Sequence, residues 1–336
     1  MSNEAIGMSS KIVTVFGGSG FLGRHVVQAL ARRGYRVRPA VRRPDLAGFL
    51  QPLGMVGQVM PVQANLRYPW SVDKAAEGAS AVVNLVGILA AKGRQTFEAV
   101  QDAGARAVAA AAAKHGASLV QVSSLGATPD GKTAYQRTKA AGEAAALAEV
   151  PGAVVFRPSV VFGPEDDFFN RFAGLARLMP VMPLIGEGVT RFQPVFVGDV
   201  AEAIARAVDG AVAGGKVYEL GGPQISSLKE ILTFVLEVTG RHRPFLPMPF
   251  AAARIQAAVV EAVDTLTFGK LPPRPLMITR DQLRLLEQDN LVSEEAKAQK
   301  RTLEGLGITA TAYEAVVPSY LWRFRRYGQF EKTREA

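Results

Sequence analysis

The chain has 336 residues, with 39 lysines and arginines against 30 aspartates and glutamates, a formal charge of +9 and a pI near 9.8. It contains no cysteine, which excludes disulfides, thiolate nucleophiles, Cys-ligated zinc and iron–sulfur clusters, and its three histidines (His25, His115, His242) are spread too widely in sequence to suggest a histidine-rich metal site. The positive balance has the sign that attracts nucleic acid, anionic lipid, acidic proteins or phosphorylated ligands. No nucleic-acid-binding motif accompanies it, and a solvated surface of dispersed basic residues explains it equally well.

In chain order, residues 1–10 lack the basic start and apolar core of a signal peptide and read as a flexible N-terminus. The β-branched run Ile12-Val13-Thr14-Val15 stops at Gly17-Gly18-Ser19-Gly20-Phe21-Leu22-Gly23, and an amphipathic segment with Leu22, Val26 and Leu30 four apart follows, ending at Gly34. Strand, tight turn and helix in that order bring backbone N–H groups and a helix N-terminus against a phosphate. The glycines fit both G-x-x-G-x-x-G (17, 20, 23) and G-x-G-x-x-G (18, 20, 23), and the flanking strand and helix supply the context this pattern needs. A second strand, Tyr35–Val41, runs into Arg42 and Arg43. An acidic residue at this strand end would bind a ribose 2′-hydroxyl, whereas two arginines suit a 2′-phosphate. The expected ligand is therefore NADPH. Asp45 keeps NADH open, and a solvated basic turn is the plain alternative.

A third strand is expected over Val59–Gln63, ending at Asn65-Leu66, with Ser71 capping a short helix through Ala76. Ala81 to Gly87 reads as an apolar strand buried on both faces. A long helix from about Thr96, with alanines at 109–113, leads to a fifth strand over Ser118–Ser123. A helix starting near Tyr135 precedes a sixth strand, Ala153–Arg157. The alternation predicts an α/β fold: a Rossmann-type doubly wound parallel sheet with a smaller C-terminal α/β lobe. The expected dinucleotide-binding domain is 11–222, with inserted loops joining the second lobe from about 159, and the C-terminal lobe with a docking tail is 223–336. Prolines at 158, 164, 180, 183 and 194 punctuate the insertion, within which a helix near Phe168–Leu178 and a strand near Phe192–Val197 are expected. Asp199 suits the N-cap of a helix through Val208, and a strand follows at Val217–Leu220. Ser227-Leu228-Lys229-Glu230 has capping-box spacing, which Thr279–Gln282 repeats. The apolar helix Met248–Val263 is too short and too interrupted by Arg254, Gln256 and Glu261 to span a bilayer, so a soluble or peripheral protein is expected.

Tyr135 and Lys139 lie four apart, on one face of a helix. An ammonium beside a phenol favours the phenolate and can also hydrogen-bond a ribose, which suits proton transfer beside a nicotinamide. Placed after the fifth strand of a dinucleotide fold, the pair completes a pattern. Together with Gly17–Gly23, Asn65-Leu66, Asn84-Leu85-Val86-Gly87, Ser123-Ser124, Arg157–Pro164 and Val197-Gly198-Asp199-Val200, it resembles the extended or atypical branch of the short-chain dehydrogenase/reductase superfamily. Phe16–Arg24, Gln63–Pro69 and above all Glu165–Phe172 narrow the likeness to the NAD(P)H-binding accessory subunits of respiratory complex I, of the alpha-subcomplex subunit 9 type, in a bacterial form.

That resemblance implies a nucleotide with Gly17, Gly20, Phe21, Leu22 and Gly23 at its pyrophosphate and Asn65 and Leu66 near adenine. Val86, Gly87, Ser123 and Pro158 would line the pocket, and Tyr135 and Lys139 would hold the nicotinamide ribose. Arg42 and Arg43 would take the 2′-phosphate. It also implies other complex I subunits as partners, a structural cofactor and a peripheral place on the cytoplasmic face of the inner membrane. One departure favours a non-catalytic role. Leu125 stands where extended enzymes usually carry the serine or threonine that polarises the substrate, and Ser124 is the nearest substitute. The rival expectation is a soluble NADPH-dependent reductase or epimerase with Tyr135 as acid/base. In the C-terminal lobe, the apolar Phe250–Leu266 and the arginine–aromatic run Ser319–Tyr327 suit an anionic membrane surface, a protein interface, or packing within the lobe itself.

Overall fold

The computed structural model describes residues 11–91, 93–266, 280–326 and 328. Contacts divide the chain into two units. The first comprises Met1–Pro158, Val197–Leu220 and Val292–Thr309; the second comprises Ser159–Phe196, Gly221–Leu291 and Ala310–Ala336.

The β-branched, apolar runs of the first unit become β1 (Ile12–Phe16), β2 (Arg36–Val41), β3 (Val62–Gln63), β4 (Ala81–Asn84), β5 (Ser118–Val122), β6 (Val154–Pro158) and β7 (Lys216–Leu220). They pair in parallel as one seven-stranded sheet in the order β7-β6-β5-β4-β1-β2-β3. The order reverses between β1 and β4, and in such sheets ligands bind beyond the strand C-termini at this switch point. Register makes it a single edge: Phe16 lies opposite both Ala40 and Asn84, so the glycine turn, Arg42 and Leu85–Gly87 all leave the sheet together.

The longer helices are α1 (Phe21–Arg32), α2 (Pro69–Ala76), α3 (Ala103–Lys114), α4 (Ala134–Glu149), α5 (Phe168–Leu178), α6 (Val197–Val208), α7 (Leu228–Val238) and α8 (Phe250–Leu266). On one side of the sheet α1 packs against α6, burying Val26, Val27 and Leu30 completely. On the other, α3 packs between α2 and α4, and its buried alanines 109, 111 and 112 allow the close approach.

Several local expectations shift, each for a physical reason. The third strand shrinks to β3 because Pro61 has no N–H to donate; Val59 keeps only an isolated bridge to Val37. β4 stops at Asn84, whose Oδ1 accepts the Val86 N–H at 3.2 Å and turns the chain. Ser71 does not cap α2. Pro69 opens that helix after Tyr68, and the Ser71 hydroxyl instead accepts the Asn65 N–H at 3.0 Å from inside the first turn. Asp199 likewise sits within the first turn of α6, which begins at Val197, where its charge favours the positive helix end. The helix expected from Thr96 opens with a π-helical turn, Glu98–Asp102, before α3 begins. The strand expected near Phe192–Val197 splits at Pro194 into Arg191–Phe192 and Val195–Phe196. Residues 1–10 and Thr279 lie outside the described residues, as does Tyr327.

Val292–Thr309 belongs by its contacts to the first unit, although it falls within the span expected for the C-terminal lobe. The cause is the open edge of β7. Arg301 Nη1 donates to Val217 O, Glu219 N–H donates to Arg301 O at 2.9 Å, and Ser293 N–H donates to the Glu219 carboxylate at 2.7 Å.

In the second unit α5, α7 and the Pro318–Leu321 helix enclose a core of Phe162, Phe169, Ile231, Leu232, Val235 and Leu321. The Ser227–Glu230 capping box forms at the start of α7. Asp166 locks the Glu165–Phe172 segment: its buried carboxylate accepts from Gly163 N–H and Asn170 N–H, both at 3.1 Å, and from the Tyr320 hydroxyl at 2.5 Å. Burial pushes both the Asp166 carboxyl and the Tyr320 phenol above their ordinary pKa ranges. Tyr320→Phe removes the strongest of these partners while leaving the carboxylate buried, so urea unfolding should show a loss of about 1–3 kcal/mol. No helix among the described residues is long and apolar enough to cross a membrane.

Candidate functional site

The glycine turn is built by close approach. Gly17 adopts φ +80°, and its N–H donates to Ala40 O at 3.1 Å, tying the turn to β2. A Cβ on Gly18 would stand 2.8 Å from Pro39 Cβ. On Gly23 it would stand 2.3 Å from Gly17 O and 2.7 Å from two Gly18 carbons. α1 begins immediately, with Gly20 extended and no side chain capping the helix. Its first amides, at Phe21 and Leu22, are thus left to a ligand or solvent, and the helix dipole favours an anion there.

Beside this turn, Val86 Cγ2 lies 3.2 Å from where a Gly17 Cβ would be, and Lys139 Nζ lies 3.0 Å from the equivalent point on Gly87. Lys139 comes from α4, which a reciprocal Thr133–Gln136 capping box starts. Its Nζ is buried, donates to Val122 O at 3.4 Å, and sits 6.0 Å from the Tyr135 ring centroid. Burial lowers the Lys139 pKa to about 8, against the opposing pull of Glu143. Glu143 is itself gripped by Arg157 through two hydrogen bonds of 2.9 and 2.6 Å. Burial raises the Tyr135 pKa. Without nucleotide, this tyrosine is therefore not poised as a phenolate; the pair is arranged to donate hydrogen bonds.

At the end of β5, the buried Ser123 hydroxyl has no hydrogen-bond partner among the described residues, whereas the buried Ser124 hydroxyl meets the Tyr135 phenol. Orphaned buried hydroxyls are costly unless a ligand satisfies them. Pro158, buried at the end of β6, accepts the Leu125 N–H at 3.1 Å. The Leu125 side chain is buried in a small apolar cluster with Val292 and Ala296.

Two expected contacts have other occupations. Arg43 forms an exposed ion pair with Asp45 at 2.7 Å, which holds the Asp45 carboxyl below its usual range. The basic and acidic signals at this strand end are thus partners of each other, leaving exposed Arg42 beside them. Leu66 is buried in the core against Gly104, while Asn65 is partly exposed, its Oδ1 accepting the Arg67 N–H at 3.2 Å. Sequence reasoning missed Gln101, which donates to Ile88 O at 2.8 Å and accepts from Thr138 at 2.9 Å beside the site. It also missed the Glu143–Arg157 pair. Glu143 lies four residues beyond Lys139 on α4, which was the legible clue.

A nicotinamide dinucleotide fits this cradle on three grounds: the uncapped helix start, the side-chain-free glycine turn and the orphaned Ser123 hydroxyl. A match to the NAD dependent epimerase/dehydratase family covers residues 13–221. The chain belongs to that family. Within it, an alpha subcomplex subunit 9 of NADH dehydrogenase from Arabidopsis thaliana is 35% identical over 296 residues, covering 86% of this chain and 73% of the relative. The Rattus norvegicus protein of the same name is 32% identical and covers 98% and 85%. A ceramide reductase from Caulobacter vibrioides is 32% identical and covers 80% and 84%. The likeness to the subunit 9 group thus extends over most of the chain. Among solved structures, a dTDP-glucose 4,6-dehydratase from Streptomyces venezuelae with NAD bound superposes with a TM-score of 0.69 at 16% identity, over 93% of this chain and 96% of that one. A UDP-glucose 4-epimerase from Thermotoga maritima gives 0.66 at 17%, over 94% and 99%. These two share the fold.

Proposed function

We propose that this chain is an accessory, non-catalytic subunit of a bacterial NADH:ubiquinone oxidoreductase (complex I), holding NADPH as a structural cofactor. It would sit peripherally on the cytoplasmic face of the inner membrane. Gly17, Gly20 and Gly23 with the first amides of α1 would hold the pyrophosphate, Arg42 the 2′-phosphate, and Asn65 the adenine side. Val86, Gly87, Ser123 and Pro158 would line the pocket, and Tyr135 and Lys139 would grip the nicotinamide ribose. When bound, the nicotinamide is a hydride carrier.

The observation that carries the reading is Leu125. Leucine stands at the chain position where extended enzymes usually carry the substrate-polarising hydroxyl, and its side chain is buried against Val292 and Ala296. Oxyanion stabilisation, usually a large part of such catalysis, would lack that donor. The raised pKa of Tyr135 is in keeping with this.

Mass spectrometry of the purified respiratory complex tests the assembly; absence of this chain from every preparation overturns it. Nucleotide extracted from the purified protein should be NADPH, and Arg42→Ser should shift the preference toward NADH. Recovery of NADH from the unmodified protein refutes the 2′-phosphate assignment. A second reading, an NADPH-dependent reductase, draws on the Ser124 hydroxyl beside the Tyr135 phenol and the ceramide reductase relative. It predicts a measurable carbonyl reduction that Tyr135→Phe abolishes while nucleotide stays bound.

A further inference from the structure

Four charged side chains of the first unit alternate in sign from the edge strand β7 to the candidate nucleotide site. Glu219 on β7 lies opposite Arg157 on β6 in the sheet register, with 3.8 Å between Glu219 Oε1 and Arg157 Nη1. Arg157 holds both carboxylate oxygens of Glu143, at 2.9 and 2.6 Å, and Glu143 stands one helical turn beyond Lys139 on α4. Glu143 and Lys139 are buried, and the Arg157 side chain is only 24% exposed. Buried ion pairs are often no more stabilising than apolar residues of the same volume, so stability alone is a weak reason for this one. Lys139 itself is faced on α4 by Tyr135 and Glu143, at the end of β5 by Val122 O, and beyond β4 by Gly87, with the uncharged Gln101 amide close to the same point. Glu143 is the charged group among these, and its field favours the ammonium.

We infer that Arg157 and Glu143 are positioning residues for nucleotide binding: the guanidinium occupies both carboxylate oxygens, so Glu143 keeps the Lys139 ammonium charged without taking its N–H groups from the ribose. This rests on the ribose contact proposed above for Lys139 and names what maintains it. An ammonium has three donors, and the hydrogen bond Lys139 makes among the described residues goes to Val122 O at 3.4 Å, so two donors remain for a ligand. A carboxylate left without its arginine would compete for them. Burial alone works against the charge, and the pull of Glu143 opposes it. Removing that pull should therefore let Lys139 lose its proton at a lower pH, and nucleotide affinity should follow.

The test takes two readouts on the full chain freed of nucleotide. One is the Lys139 Cε resonance of carbon-13-labelled protein, followed between about pH 6 and pH 10 and assigned with Lys139→Met; the other is calorimetric binding of NADP+ at the same pH values. Glu143→Gln removes the charge and keeps a hydrogen-bond acceptor for Arg157. Its Lys139 titration midpoint should move down by about one pH unit. NADP+ binding should then be about fivefold weaker than in the unmodified protein at pH 8 and nearly equal at pH 6, which is the ratio that such a displacement gives. The double variant Glu143→Gln with Arg157→Gln leaves no unpaired buried cation and should show the same displacement, and circular dichroism melts establish which variants fold. A midpoint unmoved in either folded variant, or a loss of binding equal at every pH, overturns the inference: the pair is then a tie between α4 and β6, and the nucleotide site stands. A midpoint that moves down while NADP+ binding is absent, or keeps the pH profile of the unmodified protein, overturns the ribose contact itself and the inference with it.

Discussion

Gly23→Ala should strip the protein of its nucleotide and lower the stability of the first unit by about 2–3 kcal/mol, the scale of overpacking a rigid site. The added methyl would sit 2.3 Å from Gly17 O and 2.7 Å from Gly18, which are backbone atoms with no rotamer to change. The turn has little room to yield. Gly17 is held at φ +80° by its N–H bond to Ala40 O, and Gly18 is wedged against Pro39. Relief requires α1 to move away from the turn, and the first helical amides would then no longer converge on a phosphate. Urea denaturation and nucleotide retained per polypeptide after gel filtration read the two effects separately. Gly48→Ala is the matched control: its methyl would meet nothing within 4 Å, so stability and nucleotide content should hold. A Gly23→Ala protein with full nucleotide content would refute the phosphate cradle.

The parts of this molecule legible in the sequence are those written by local rules. A β-branched run followed by glycines and an amphipathic segment has one common solution, and β1, the turn and α1 adopt it. The Ser227–Glu230 box caps α7 because both reciprocal bonds involve residues only three apart. Element ends were less legible, because they depend on single side chains bonding backward: Asn84 ends β4 and Pro69 displaces Ser71 from the cap. Least legible were the long-range matters. Nothing near residue 300 announces that Arg301 will bond to the edge strand β7, nor that Val292 will cover Leu125. The same holds within the site. Tyr135 and Lys139 could be placed on one helical face by spacing alone. The burial that raises one pKa and lowers the other comes from the sheet ends and loops packed over them.

That burial leads to the second large effect: Lys139→Met should stabilise the nucleotide-free protein while crippling its hold on nucleotide. Keeping an ammonium whose pKa has dropped from an ordinary 10.5 to about 8 costs the folded state about 3 kcal/mol at neutral pH. Below pH 8 the lysine is charged in both folded and unfolded chains, and the whole penalty is present. Between pH 8 and 10.5 the folded chain sheds the proton that the unfolded chain keeps, so stability from this group rises with pH. Methionine, similar in length and uncharged, escapes the penalty. The variant should therefore gain up to about 3 kcal/mol in urea unfolding at pH 7, and the gain should fade as the pH approaches 10.5. Nucleotide binding runs the other way. A ribose hydroxyl accepting from the charged ammonium is worth about 1.5–3 kcal/mol, so affinity should fall roughly 10- to 150-fold in the variant. In the unmodified protein affinity should decline as the pH passes 8, a dependence the methionine variant lacks. A variant less stable than the parent at pH 7, or one that binds nucleotide with unchanged affinity, would show that Lys139 serves the core instead. The opposite signs of the two effects mark a residue retained for its ligand at the expense of the empty fold.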